Sequence, residues 1–138
     1  MRLHPTSVRL TVPFHDCDPL GVVWHGHYFK YLELARTEIL APRGLDGAEL
    51  LATGHRLYVV DARCRYAAPL RYRDAVRVDA WVTEIDPRIT LRYEIHNETT
   101  GERSARASTS LAITDADGRL LLATPPILLD RIQGHVPS

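Results

Sequence analysis

The residues best suited to chemistry lie in one short run, Phe14-His15-Asp16-Cys17-Asp18-Pro19-Leu20-Gly21-Val22-Val23-Trp24-His25-Gly26-His27-Tyr28. It holds two carboxylates, a Pro-x-Gly turn, an apolar tripeptide and three imidazoles, two of them at the start of a helical pattern. A carboxylate in such a loop can take a proton from water or attack a carbonyl directly. The N–H groups that open the following helix have no carbonyl partner of their own and can hold a developing oxyanion. Together these parts suit acyl transfer.

Each residue also has a plainer use. Asp16 and Asp18 can accept from backbone N–H groups and do no more than shape the loop. If the stretch is extended, side-chain alternation turns both carboxylates the same way, and Asp16 then raises the pKa of its neighbour. His25 can orient a bound carbonyl or offer its N–H at the helix start, next to Gly26. Val22, Val23 and Trp24 form an apolar lining, and Tyr28 falls on the buried stripe of the helix. Glu33 lies off that stripe and is a rival carboxylate, or simply a partner for Lys30 or Arg36.

The elements that must position these residues can be read from periodicity. Ser7 to Phe14 alternates as a half-buried strand, with Pro13 marking its exit into the loop. From about His25 to Ala41 the period becomes helical: Tyr28, Tyr31, Leu32, Ala35 and Ile39 make one stripe, and Pro42 and Gly44 stop it. Asp46 to Gly54 is a polar connection with room for one helical turn. Four alternating runs follow, around Tyr58–Ala68, Val76–Thr83, Ile89–His96 and Ala105–Ile113. In the first of them Tyr58, Val60, Ala62 and Cys64 share a face. A short run from Leu120 to Ala123 ends at Pro125-Pro126, and no second long helical pattern is present. Short links make the strands antiparallel neighbours. The pattern predicts an α+β fold of one long helix wrapped by a five- to six-stranded antiparallel sheet, as one domain spanning residues 1–138.

Bulk properties narrow the function classes. The chain has 17 basic and 17 acidic residues, and Lys30 is its only lysine. A balanced charge gives no field directed at nucleic acid or an anionic membrane. Two cysteines, Cys17 and Cys64, form no disulfide framework and no metal-type pair. The two Asp side chains beside Cys17 disfavour its thiolate. With no apolar run at Met1-Arg2-Leu3-His4-Pro5, the expected location is cytoplasmic.

The spaced pattern Asp16-x-Asp18-x-x-Gly21-x-x-x-His25-x-x-Tyr28-x-x-x-x-Glu33, then Ala35-Arg36, resembles the 4-hydroxybenzoyl-CoA thioesterase group of hotdog enzymes. It is similar also to the short acyl-CoA thioesterases encoded beside the Tol-Pal system. A second match, Tyr66-Ala67-Ala68-Pro69-Leu70-Arg71-Tyr72-Arg73-Asp74, resembles the strand-Pro-turn-Asp segment of the same enzymes. The resemblance covers nearly the whole chain, although many Tol-Pal-associated relatives carry Tyr where this chain has Phe14.

It implies a hotdog fold and hydrolysis of an acyl- or aroyl-CoA. Asp18 is then the base or nucleophile, and His25 a second site residue. The start of the helix at His25 and Gly26 is the oxyanion site, with Trp24 and Tyr28 at the substrate. It implies no metal or redox cofactor, and a homodimer or homotetramer with sites between subunits. The alternatives are a thioesterase acting on an acyl-carrier protein, a hotdog dehydratase, which the Asp-x-Asp-x-x-Gly spacing argues against, and a non-catalytic acyl-binding hotdog protein. Arg63, Arg65, Arg71, Arg73, Arg88, Arg92 and Arg106 are all candidates for the phosphates of coenzyme A.

Overall fold

A computed structural model describes residues 2–134; Met1 and residues 135–138 of the expected domain lie outside the described residues. The elements in order are β1 (Leu3–Thr11), α1 (Tyr28–Leu40), α2 (Gly47–Leu51), β2 (His55–Tyr66), β3 (Ala75–Glu84), β4 (Ile89–Asn97), β5 (Glu102–Asp115) and α3 (Pro126–Gln133). Single 3₁₀ turns at Phe14–Asp16, His25–His27 and Ala41–Arg43 bracket the loop and the long helix. All strand pairs are antiparallel, in the order β1-β3-β4-β5-β2.

The helix α1 forms where its stripe predicts. Tyr28, Tyr31, Leu32, Ala35 and Ile39 are buried, and they face the inward residues Val76, Val78, Ala80 and Val82 of β3, Leu91, Tyr93 and Ile95 of β4, and Ala105 and Ile113 of β5. The helix packs on the inner face of this sheet, as the expected hotdog arrangement requires. The Tyr93 hydroxyl and Thr109 Oγ1 satisfy each other inside the core at 2.6 Å.

Three features depart from the periodic reading. First, β2 carries a bulge between Val59 and Asp61, with Val59 opposite Leu111 and Asp61 opposite Ser110. Val60 is the extra residue, so Tyr58 shares a face with Asp61, Arg63 and Arg65 rather than with Ala62 and Cys64. Second, β2 does not neighbour β3: it pairs with β5 and forms the far edge, and residues 67–74 carry the chain across to β3. Third, Pro125-Pro126 does not merely end a strand. It opens α3, with Pro at the first helical turn, where a missing N–H costs nothing. Leu128 and Ile132 of α3 are fully buried one turn apart, and Arg131 Nη1 donates to the Gly44 carbonyl at 2.7 Å. Leu120 contributes only an isolated bridge to Thr114.

Candidate active site

The loop after β1 is a miniature hairpin. Asp18-Pro19-Leu20-Gly21 makes a β-turn in which the Gly21 N–H donates to the Asp18 carbonyl at 2.9 Å. Pro suits the second position of such a turn, and Gly21 follows at φ +83°, which a side chain would resist. The Asp18 N–H returns to the Val22 carbonyl at 2.8 Å, the Val23 N–H to Leu70 at 2.8 Å, and the Trp24 N–H to Asp16 at 3.1 Å. The hairpin therefore rests on residues 69–71, the Pro-turn segment. That segment is held by Asp74, whose Oδ2 accepts from the Arg71 N–H at 2.8 Å and from Asn97 Nδ2 at 2.7 Å.

Asp18 sits at the tip. Its Oδ1 accepts the Leu20 N–H at 2.9 Å and the Val22 N–H at 3.3 Å. Among the described residues no donor occupies Oδ2. The carboxylate is thus oriented by main chain while one oxygen stays free for a reacting proton.

A cleft of about 350 Å³ opens beside it, lined by Asp18, Val22, Val23, Trp24, His25 and Tyr28 on one side and residues 66–69 on the other. His25 is exposed at its mouth, and its ring lies 5.2 Å from Trp24 and 5.9 Å from Tyr66 between centroids. The Tyr66 hydroxyl donates to the His25 carbonyl at 2.9 Å, which fixes the start of the helix against the end of β2. Tyr28 closes the floor, its ring 4.8 Å from that of Tyr66 and its hydroxyl 3.1 Å from Ser104 Oγ. Burial raises the pKa of both phenols, that of Tyr66 to about 12, so both stay protonated.

Gly26 contributes no side chain to the cleft wall. The Trp24 indole lies over it so closely that a Cβ there would come within 3 Å of three ring carbons. Gly26 therefore provides the space that seats the tryptophan.

Asp16 faces elsewhere. The segment Phe14–Asp16 is a 3₁₀ turn, not an extended chain, so the two carboxylates do not share a direction. Asp16 is 1% exposed, with Oδ1 2.5 Å from Lys30 Nζ and Oδ2 accepting the Tyr31 hydroxyl at 2.6 Å. Burial by itself would push this carboxyl up; the bonds from Lys30 and Tyr31 outweigh it and hold it below the usual carboxylate range.

Burial raises the pKa of the Cys17 thiol, and the carboxylates of Asp16 and Asp18 raise it further; burial also raises that of Cys64. Neither sulfur is poised as a nucleophile. Glu33 is exposed on α1 outside the cleft. The parts that sequence reasoning did not single out are Tyr66 as a brace, Ser104 beneath Tyr28, and the Lys30–Tyr31 clasp on Asp16. Tyr66 carried a signal, the end of a strand next to the Pro turn; Ser104 carried none.

Away from the cleft, Asp79, Glu94 and His96 lie within 4.8 Å of one another on the outer sheet face. Arg77 pairs with Asp79 at 3.1 Å, and Arg103 and Arg106 approach Glu94 at 3.8 and 3.9 Å, so arginines already meet the carboxylate charge.

A helix wrapped by an antiparallel sheet, with a carboxylate loop at the helix start, defines a class, and comparison with known proteins agrees. The family model described as the thioesterase-like superfamily matches residues 12–132. A 1,4-dihydroxy-2-naphthoyl-CoA hydrolase of Thermosynechococcus vestitus is 31% identical over 112 residues, 78% of this chain and 76% of that protein. An acyl-CoA thioester hydrolase of Escherichia coli is 31% identical over 74 residues, 54% of this chain and 55% of its own length. The crystal structure of a DHNA-CoA thioesterase from Staphylococcus aureus superposes with a TM-score of 0.77 at 27% identity, covering 92% of this chain and 82% of that one. The chain belongs to the thioesterase-like superfamily, and its reaction class is thioester hydrolysis.

Proposed function

We propose that this single-domain protein hydrolyses an acyl- or aroyl-CoA to the free acid and coenzyme A, with Asp18 as its base or nucleophile. The observation that carries this reading is the half-free carboxylate of Asp18, locked by the Leu20 and Val22 N–H groups at the rim of a cleft that ends on a helix start. As general base, Asp18 takes a proton from water while the water oxygen bonds to the thioester carbonyl carbon. The carbonyl electrons move onto oxygen, where the N–H groups of His25 and Gly26 stabilise the charge. Collapse of this intermediate breaks the C–S bond, and the thiolate leaves and is protonated. As nucleophile, Asp18 would attack the carbonyl carbon and expel the thiolate as the C–S bond breaks, leaving a mixed anhydride that water then opens to the free acid and the Asp18 carboxylate.

Trp24 and Tyr28 supply flat apolar walls beside the acyl group, which favours an aroyl or short acyl chain. The relatives from T. vestitus and S. aureus, whose names give a dihydroxynaphthoyl thioester, support the aroyl side of that range. The exposed sheet edge supports an assembly. β2 is an edge strand that leaves Tyr58 53% and Val60 56% exposed, an apolar edge that a second copy would cover by strand pairing. A homodimer built there, or a homotetramer of two such dimers, places a neighbouring subunit beside residues 66–69. No described helix is long and apolar enough to cross a membrane, and the proposed location is the cytoplasm.

The test is release of free thiol from a panel of short, long and aromatic acyl-CoAs, with wild type and Asp18→Asn side by side. Turnover that disappears in the variant, with oligomer and fold intact, supports the reading, and the preferred thioester names the substrate class. Undiminished turnover in Asp18→Asn sinks it. Faster hydrolysis of a carrier-protein thioester than of the CoA thioester would replace the substrate but keep the chemistry.

A further inference from the structure

Asp16 and Asp18 are two residues apart and have nothing in common environmentally, and that contrast assigns Asp16 a role. Its carboxylate is the point at which the active-site loop meets the first turn of α1, through Lys30 Nζ and the Tyr31 hydroxyl. Its carbonyl, in turn, receives the Trp24 N–H at 3.1 Å, which closes the loop at its other end. The base stands two residues beyond Asp16. The oxyanion donors His25 and Gly26 begin one residue beyond Trp24. Both halves of the reaction machinery are therefore referenced through one residue to one helical turn.

We propose that Asp16 is the positioning residue of this site: clasped by Lys30 and Tyr31, it sets the distance between Asp18 and the N–H groups of His25 and Gly26. This rests on the reading of Asp18 as base or nucleophile. Asp16 touches no reacting atom; it is sealed from the cleft, and its side chain makes no bond to Asp18. The lone lysine of the chain has a defined job in this arrangement, as a cation that neutralises a buried carboxylate beside a second one. Reacting groups misplaced by about 1 Å can lose about 10²-fold in rate, so a residue that only sets a distance can matter nearly as much as one that reacts.

The test uses the full-length protein. In Asp16→Asn one carboxylate oxygen becomes an NH₂ group that faces a donor, either Lys30 or Tyr31, and the clasp opens. The expected result is a kcat lower by about 10- to 100-fold, with KM for the acyl-CoA changed by less than about twofold. Lys30→Arg, which keeps a donor, should retain near-wild-type kcat. The double variant Asp16→Asn/Asp18→Asn should be no slower than Asp18→Asn alone, because both losses act through the same group.

Amide hydrogen exchange reads the same role without turnover: the Asp18 and Trp24 N–H groups should exchange faster in Asp16→Asn, with the α1 amides from Leu32 onward unchanged. An unchanged kcat together with unchanged exchange at Asp18 and Trp24 would overturn the proposal, as would fully additive losses in the double variant. If Asp16→Asn does not fold, Lys30→Met takes its place with the same expectations. Should Asp18→Asn prove active, the reading of Asp18 fails, and the exchange measurement still decides whether Asp16 holds the loop.

Discussion

The loop proposed to carry the active site and the helix-on-sheet interior are held by different forces. Between Asp16 and Trp24 Val23 reaches the apolar core, but Leu20 is 86% exposed and Trp24 52%. Its shape comes from directed bonds: the Asp18 carboxylate on two N–H groups, the Asp18–Val22 pair, the tie from Trp24 to Asp16, and the Asp16 clasp. The interior contains few such bonds beyond the sheet itself. Leu32, Ala35 and Ile39 lie fully buried against Val76, Val78 and Ile95, and nondirectional burial does the work. Directional bonds set positions to a fraction of an ångström but contribute modest net stability. Apolar burial contributes stability but tolerates small displacements. Chemistry and stability should therefore separate cleanly under mutation.

The largest expected effect is on the loop side. Asp18→Asn keeps an oxygen that can accept from Leu20 and Val22, so the loop should stay in place. Turnover should nevertheless fall about 10²- to 10⁴-fold, with a thermal midpoint close to that of wild type. A large fall in both would mean that loop and interior are not separable. The complementary interior change is Leu32→Ala, which should cost about 2–5 kcal/mol in urea unfolding. Turnover per folded molecule, measured well below the transition, should change little.

Gly21→Ala sharpens the comparison further. Nothing lies within 4 Å of the added Cβ, so the whole penalty is the φ of +83°, about 1–2 kcal/mol. Because that strain falls on the turn that carries Asp18, kcat should drop more than KM rises. A chemical denaturation curve and a kinetic run on the same sample would separate the two.

Asp16 links loop and interior through pH. Its carboxyl is held below the usual range in the folded protein, so its contribution is fully present above the unfolded value of about 3.9 and is lost as pH falls through the lower folded value. Wild type should lose stability over that acid interval more steeply than Asp16→Asn, as followed by thermal melts from neutral pH downward. The smallest effect belongs to Glu33→Gln. Exposed on α1 outside the cleft, it should leave turnover within about twofold of wild type, as expected for surface changes away from the site.

Much of this molecule was legible before any coordinates. The stripe Tyr28–Tyr31–Leu32–Ala35–Ile39 and the alternation of β3, β4 and β5 identify their elements because a buried face imposes a period. The spacing from Asp16 to Glu33 located the loop, and the turn residues Pro19 and Gly21 account for its form. Other features escaped for identifiable reasons. Val60 is an ordinary β-branched residue, and only the register with β5 makes it a bulge. Pro125-Pro126 reads equally as a stop or a helix start, and what decides it is the pocket that takes Leu128 and Ile132.

The sequence by itself determined what is local: which segments are helix or strand, which faces are apolar, and that carboxylates stand at a turn ahead of a helix. Propensity, periodicity and turn chemistry act over a few residues, so they survive in the linear text. Only the tertiary structure decided which carboxylate is sealed and which is left accessible. That choice depends on Lys30 and Tyr31, 14 and 15 residues along the chain from Asp16. It likewise brought Tyr66 to the His25 carbonyl across 41 residues and sent β2 to the sheet edge. These are outcomes of packing between distant segments, where burial and hydrogen-bond satisfaction are settled together, and no local pattern encodes them.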